Sequence, residues 1–132
     1  MALTSAVLRI ARPTDHLVAI ANMYCLGLGF EQLGAFEDHQ GFDGIMLGHP
    51  HHAYHLEFTH HRGVVVGRAP TQDNLLVFYL PETECWQGMC HQMLAGGFQR
   101  VKAYNPYWDA NGQTFEDLDG YRVVLQARAW QR

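Results

Sequence analysis

The sequence predicts an α+β fold in which two tandem β-α-β-β-β modules form an open, curled mixed sheet with the helices outside it. Three observations support this prediction. The chain has 132 residues, 48% of them hydrophobic, which suits one compact domain with a core. The order of one strand, one helix and three strands occurs twice along the chain. The pair Gly29-Phe30 after the first helix is matched by Gly97-Phe98 after the second, so an internal duplication is indicated.

We expect residues 1–132 to form a single domain with modules at approximately 5–62 and 72–129. One module alone would leave one face of a four-stranded sheet without cover. Two modules joined edge to edge enclose a concave site between the halves, and alternate residues of the strands line that site.

The first module begins with a strand at Ala6–Ala11, where branched apolar residues predominate. Pro13 breaks this strand, and Thr14 or Asp15 is expected to cap the N-terminus of a helix. Apolar residues recur at helical spacing from Leu17 to Cys25, and two glycines then end the helix. Three further strands are predicted at Phe30–Phe36, Asp43–Leu47 and Ala53–Thr59.

The second module repeats this order. Asn74–Leu80 is a strongly apolar strand, and Pro81 and Glu82 open the second helix. Trp86, Met89 and Met93 on this helix are interpreted as core residues rather than as part of a cofactor site. The remaining strands are predicted at Phe98–Ala103, Gln113–Glu116 and Tyr121–Ala127, with an aromatic loop at Asn105–Trp108.

Composition excludes several classes of function. The net charge is −4 and only nine residues are basic, which argues against nucleic acid as a partner. No apolar run approaches the ~18 residues of a membrane span, and the N-terminus lacks the pattern of a secretory signal. Cys85 and Cys90 do not have the spacing of a redox or zinc pair. We therefore expect a cytoplasmic protein with reduced thiols and no membrane partner.

Six of the nine histidines fall between His49 and His61. His49, His51 and His52 are placed in an exposed turn, and His60 and His61 in a loop after the strand, so the cluster is interpreted as polar surface. His55 differs from them because the strand places it two residues from Glu57. His60 and His61 nevertheless leave an unusual metal arrangement open.

Two stretches carry a family resemblance. Tyr54–Thr59 (YHLEFT) looks like the "LELT" strand of glyoxalases, and Phe115–Tyr121 (FEDLDGY) looks like an "F-x-DPDGY" hairpin in which Leu118 replaces the usual Pro. From about Val7 to Ala127 the chain resembles the vicinal oxygen chelate superfamily. That superfamily contains glyoxalases, bleomycin-resistance proteins, fosfomycin-resistance enzymes and extradiol dioxygenases, so the resemblance is specific for fold and weak for function.

The resemblance implies four metal ligands, two from each module, on the first and last strands. Glu57 matches one of these positions, whereas its equivalent in the second half is Val124. Arg9 occupies the first-strand position, and its counterpart is Leu75, or Asn74 if the register slips by one. We therefore expect no cofactor; the alternative is a divalent metal ion held by Glu57 and His55.

In place of the metal, the resemblance and strand alternation together suggest a pocket for an anionic or aromatic ligand, because two Arg suit a carboxylate or phosphate. The predicted ligand-binding residues are Arg9, Glu57, Thr59, Tyr79, Tyr107, Trp108 and Arg122. Glu57 is a candidate catalytic base and His55 its candidate acid–base partner. Purely structural roles remain open for three of these residues. Glu57 would be an ion-pair partner of Arg9, His55 a hydrogen-bonded residue in the cavity wall, and Arg122 a surface residue bonded to Asp117 or Asp119.

Three functions follow from these expectations. The leading hypothesis is a small-molecule-binding protein of glyoxalase/bleomycin-resistance type with a degenerate metal site. The first alternative is a metal-dependent lyase or isomerase of glyoxalase type that uses Glu57 and His55. The second is a dimeric structural or regulatory module whose cavity is filled by its own side chains. Because members of the superfamily are usually dimers, a homodimer is expected in each case.

Overall fold

The computed structural model describes all 132 residues and contains the two predicted repeats. The first module runs through β1 (Leu8–Pro13), α1 (Leu17–Leu28), β2 (Glu31–His39), β3 (Phe42–Gly48) and β4 (Tyr54–His61). The second runs through β5 (Leu75–Tyr79), α2 (Thr83–Ala95), β6 (Gln99–Val101), α3 (Tyr107–Ala110), β7 (Gly112–Glu116) and β8 (Arg122–Gln126).

Each module folds into one four-stranded mixed sheet. The strand orders are β1-β4-β3-β2 and β5-β8-β7-β6, and in each sheet the first strand of the module runs parallel to the last. The predicted α+β class with two tandem modules is therefore confirmed. β1 and β5 are edge strands that face each other without pairing, and we call the groove between them the seam.

The predicted elements are all present, with small shifts at their ends. Two predictions about individual segments were wrong. His60 and His61 belong to β4 rather than to a loop, because β4 continues to pair with β3 as far as the partners Phe42 and His61. The predicted aromatic loop contains the short helix α3.

The core lies between the two sheets and the two long helices. Ile20 and Tyr24 of α1 are fully buried, and the Tyr24 ring lies 4.9 Å from that of Phe58 and 5.1 Å from that of Phe98. Met93 of α2 is fully buried as well. Trp86 donates its indole N–H to the carbonyl oxygen of Leu125 at 2.8 Å, which fixes α2 on β8. Met93 is thus a core residue, and Trp86 and Met89 are partly buried and pack against the core.

The start of α1 differs from the prediction. Its N-cap is His16, which makes no capping bond with its side chain. Thr14 instead accepts the backbone N–H of His16 through its hydroxyl, and the Asp15 carboxylate accepts the N–H groups of Val66 and Gly67 at 2.9 and 2.8 Å. These two hydrogen bonds lower the pKa of Asp15. Asp15 therefore tethers the loop between the modules rather than capping the helix.

Candidate functional site

Strand alternation separates two faces of the first sheet. Leu56 and Phe58 of β4 point to the core and are buried. The intervening residues His55, Glu57 and Thr59 point to the opposite face, together with their β1 neighbour Arg9. We call this second face of the first sheet the open face, since neither long helix packs on it.

Arg9, His55 and Glu57 form one connected group on the open face. Arg9 donates from Nε to Nε2 of His55 at 2.9 Å, and its Nη1 lies 3.4 Å from Oε2 of Glu57. The Glu57 side chain is 13% exposed whereas that of Arg9 is 50% exposed. The guanidinium is therefore fixed on two sides and open to solvent on the rest of its surface.

The bond between Arg9 and His55 determines the form of the imidazole. A guanidinium can only donate, so Nε2 of His55 must accept and carry no proton. The single proton of the neutral ring is then on Nδ1. His55 presents an N–H donor there and orients Arg9 with its other nitrogen.

The residues on the open face do not fit the metal ion that the family resemblance implies. Glu57 and His55 are the candidate ligands, and both already contact the cationic side chain of Arg9. Val124, at the equivalent position of the second module, is fully buried and has no donor atom. No group of three or more His, Cys, Asp or Glu side chains in the chain has an arrangement that could hold a metal ion.

The corresponding face of the second sheet is covered. Arg122 donates to the carbonyl oxygen of Lys102 at 3.3 Å, and Gln126 donates to that of Trp108 at 3.2 Å. Segment 102–111, which we call the cover segment, therefore lies over this face. Beneath it, Arg122, Val124, Gln126 and Thr114 are all buried.

The other predicted ligand-binding residues belong to this second module. Arg122 pairs with Glu116 at 3.1 Å rather than with Asp117 or Asp119, because Glu116 lies directly opposite it on β7. Tyr79 is half-buried and lies beside Gln126 in the sheet. Tyr107 is 60% exposed on α3, with its ring against that of Trp108. The structure thus joins Arg9, His55 and Glu57, and gives Arg122, Tyr79, Tyr107 and Trp108 a separate set of contacts.

Four of the five other histidines of the cluster have individual partners. Nδ1 of His49 lies 3.7 Å from the carboxylate of Glu31, and the His52 ring is stacked near Tyr54. His60 contacts the carbonyl oxygen of Thr14, and the His61 ring stacks on Phe42 at 4.2 Å between centroids. His55 alone is bonded to the group around Arg9.

A polar network that the sequence did not predict joins the two modules. Arg12 of β1 donates to Asp117 at 2.8 Å, and its guanidinium lies 3.9 Å from the centre of the Tyr121 ring. Tyr24 donates to the same carboxylate at 2.7 Å. Asp117 also accepts the backbone N–H groups of Asp119 and Tyr121, and the hydroxyl of Thr14 donates to Asp119 at 2.6 Å. The one signal in the sequence was the Asp-Leu-Asp-Gly hairpin motif itself.

Burial and the neighbouring polar groups have opposite effects on the pKa of Arg12. Desolvation by itself lowers the pKa of Arg12, but Tyr24 and Asp117 more than compensate and raise it above its ordinary value. Burial raises the pKa of the Tyr24 hydroxyl. Arg12 is therefore a permanent cation at the joint, and Tyr24 remains a neutral donor.

None of the three helices has the length and hydropathy that a membrane-spanning helix needs.

Two family models match the chain: the YycE-like N-terminal domain over residues 8–59 and the YycE-like C-terminal domain over residues 73–127. The chain is 43% identical over 121 residues to the uncharacterized protein YycE of Bacillus subtilis (strain 168), an alignment that covers 92% of this chain and 87% of the relative.

Solved structures agree with these matches. A crystal structure of a YycE protein of unknown function from Bacillus subtilis superposes with a TM-score of 0.88 at 40% identity, over 98% of this chain and 94% of that chain. Glyoxalase I of Leishmania major gives a TM-score of 0.71 at 16% identity, over 92% and 86% of the two chains. TnmS3, an antibiotic binding protein from Streptomyces sp. CB03234, gives 0.64 at 16% identity, over 96% and 97%. At such low identity the last two show the fold alone. The family models and the 43% identical relative show that this chain belongs to the YycE-like family, and its fold is shared with glyoxalase I, as the resemblance to the vicinal oxygen chelate superfamily predicted.

Proposed function

We propose that the chain binds a small molecule with an anionic group on the open face, at Arg9, His55 and Glu57. The observation that carries this proposal is the half-exposed guanidinium of Arg9. Arginine has five N–H donors. His55 takes one and Glu57 another, so three remain for an oxygen-rich ligand. A guanidinium that is already fixed loses little conformational freedom when it binds a carboxylate or phosphate.

Binding is better supported than the metal-dependent lyase or isomerase. A divalent ion beside Glu57 and His55 would meet the charge of Arg9, whereas an anion is attracted by it. The fold itself is found both in an enzyme, glyoxalase I, and in an antibiotic binding protein. The choice between binding and catalysis therefore depends on the side chains of the site and not on the fold. Elemental analysis of untagged protein tests the lyase alternative, which fails below about one-tenth of a metal ion per chain.

A screen by thermal shift identifies the ligand. Small carboxylates, phosphates and aromatic antibiotics are added to the purified protein, and a ligand at about 100 times its dissociation constant stabilises the fold by about 2.7 kcal/mol. Arg9→Gln should abolish the shift. Arg128→Gln makes the same change of charge at an exposed arginine without a hydrogen-bond partner, and should keep it. A hit that stabilises the Arg9→Gln variant equally contradicts the proposed site.

Catalysis by Glu57 is tested with the same hits. If a hit is turned over, Glu57→Gln should lose the turnover while the affinity for the compound changes little. Full turnover in this variant would exclude Glu57 as the base.

For the second module a structural role is favoured by the cover segment, which fills the face that a ligand would need. In this proposal the second module supports the first, and the part of its face beneath Trp108 and Gln126 binds no ligand. Tyr107→Ala and Trp108→Ala should then lower the free energy of unfolding without changing the affinity of any ligand that depends on Arg9.

We also propose that the protein is a homodimer. Val7 and Leu8 are 64% and 57% exposed at the start of β1, so two neighbouring large apolar side chains are left largely uncovered there. Light scattering at micromolar concentration should give twice the chain mass. Leu8→Glu should give monomers, and Leu94→Glu, on a helix surface with 50% exposure, should not. A monomeric wild-type protein contradicts this proposal.

A further inference from the structure

A cavity lies in the seam between the modules, and it shares no residue with the group around Arg9. Its volume is about 290 Å³, near the lower end of the range for ligand pockets. One wall is Ile10–Pro13 of β1 and the other is 74–76 at the start of β5. The rest of the lining is Leu56, Phe58, Tyr121 and Arg122.

Two arginines, Arg12 of the first module and Arg122 of the second, are among the residues that line this cavity. Arg122 is 6% exposed and uses Nε for Glu116 and Nη1 for the carbonyl of Lys102, which leaves Nη2 without a partner. Arg12 is 15% exposed and uses Nη2 for both Asp117 and Tyr24, which leaves Nη1 without a partner. Neither free amine is among the fully enclosed atoms, which are Nε of Arg12 and the Thr114 hydroxyl. Both amines therefore keep some exposed surface and a hydrogen-bond capacity that the protein does not use.

The unused polar groups of the two arginines are donors. The carboxylate of Asp117 is saturated, because one oxygen accepts from Arg12 and Tyr24 and the other accepts two backbone N–H groups. A ligand must accordingly supply acceptors. Each guanidinium already has its own carboxylate, so the cavity has little excess positive charge and favours a single negative charge over two.

The other walls are apolar. Ile10, Leu56 and Leu76 supply aliphatic surface and Phe58 an aromatic ring. The Arg12 guanidinium is fixed between rings, 3.9 Å from the centre of Tyr121 and 4.8 Å from that of Phe58, so its free amine is held in place before a ligand arrives. We propose that the seam cavity is a second binding site, for a small monocarboxylate with an aliphatic or aromatic body held between Arg12 and Arg122.

Benzoate is a suitable probe, and benzamide is its uncharged control. Titration of the ¹⁵N-labelled protein should shift the amides of residues 10–12 and 74–76 with benzoate and not with benzamide. Arg122→Lys keeps the charge beside Glu116 but removes the free amine, and should weaken benzoate binding at least about tenfold. Ile10→Phe fills the cavity from a strand edge where the side chain is 37% exposed, and should also prevent binding.

Arg9→Gln separates this site from the proposed one on the open face. Amide shifts at the seam that persist in Arg9→Gln and disappear in Ile10→Phe support the inference. It is overturned if no saturable shift occurs up to about 10 mM, a concentration well above most small-ligand dissociation constants. Equal shifts with benzamide, or shifts that all disappear in Arg9→Gln, overturn it as well.

Discussion

Nη2 of Arg12 lies 2.8 Å from Oδ2 of Asp117, although 105 positions separate the two residues along the chain. The Asp117 side chain is completely buried, and this ion pair joins the first strand of one module to the hairpin of the other. The relative position of the two modules therefore depends on a charge pair with little access to water.

Arg12→Met keeps a long side chain over the Tyr121 ring but leaves the Asp117 charge without its cation. Removal of one partner of a buried pair costs about 3–5 kcal/mol, so we expect a loss of stability of that order in urea unfolding. Arg62→Met is the matched control, because the pair of Arg62 with Asp43 is at the surface and the change should cost less than about 1 kcal/mol. Equal losses in the two variants would contradict the assigned role of Arg12.

Two glycines allow α1 and α2 to approach closely. A Cβ at Gly96 would lie 2.6 Å from the backbone nitrogen of Gly27, although the φ of −79° at Gly96 suits any residue. Gly96→Ala should therefore destabilise the protein by about 1–3 kcal/mol through overpacking. Gly88→Ala, inside α2 with no atom near its Cβ position, should instead stabilise it by about 0.5–1 kcal/mol. Thermal unfolding of the two variants should give shifts of opposite sign.

The tether at Asp15 predicts a dependence of stability on pH. The two backbone donors lower its pKa in the folded protein, so its contribution is complete above the unfolded value of about 3.9 and is lost as the pH falls through the folded value. In Asp15→Asn the free energy of unfolding should change less between about pH 5 and pH 3 than in the wild type. The control is Asp73→Asn, because the carboxylate of Asp73 makes no hydrogen bond in the wild type. The free energy of unfolding of this variant should depend on pH in the same way as that of the wild type. Parallel profiles for all three proteins would exclude the tether.

The three cysteines should differ in reactivity. Burial raises the pKa of Cys90 to about 11, and it also raises that of the partly buried Cys25. Cys85 is exposed. At pH 8 iodoacetamide should alkylate Cys85 first and Cys90 at least about tenfold more slowly, because the thiolate is the reacting form. Mass spectrometry of timed samples measures the rates, and in urea all three should react alike. Rapid labelling of Cys90 in the folded protein would contradict its burial.

The fold could be predicted because its signals are local. Apolar spacing, the paired Gly-Phe landmarks and the Asp-Gly hairpin each lie within a few residues. The end of β4 could not, because the strand continues through two histidines that carry no apolar alternation and are held there by pairing with β3. The place of Arg9 beside His55 and Glu57 followed from strand register and from the family resemblance.

Other contacts depend on how the modules dock. The sequence does not predict the role of Arg12, because its partners Asp117 and Tyr121 become neighbours only when both modules are folded together. The separation of Arg122 from Arg9 could not be predicted from the sequence either. Strand alternation correctly put Arg122 on the face of Val124, but nothing in the pattern showed that residues 102–111 fold over that face.

The cover segment conceals a sheet face that could be exposed by protein design. A shorter connection between β6 and β7 would uncover a sheet face that already carries Arg122, Glu116 and Gln126 in fixed positions. Val124 lies at the centre of that face, directly opposite Thr114, and is the position at which a new functional group would point outward. An engineer could thus give the second half a chemistry of its own while the first half keeps its arginine, histidine and glutamate unchanged.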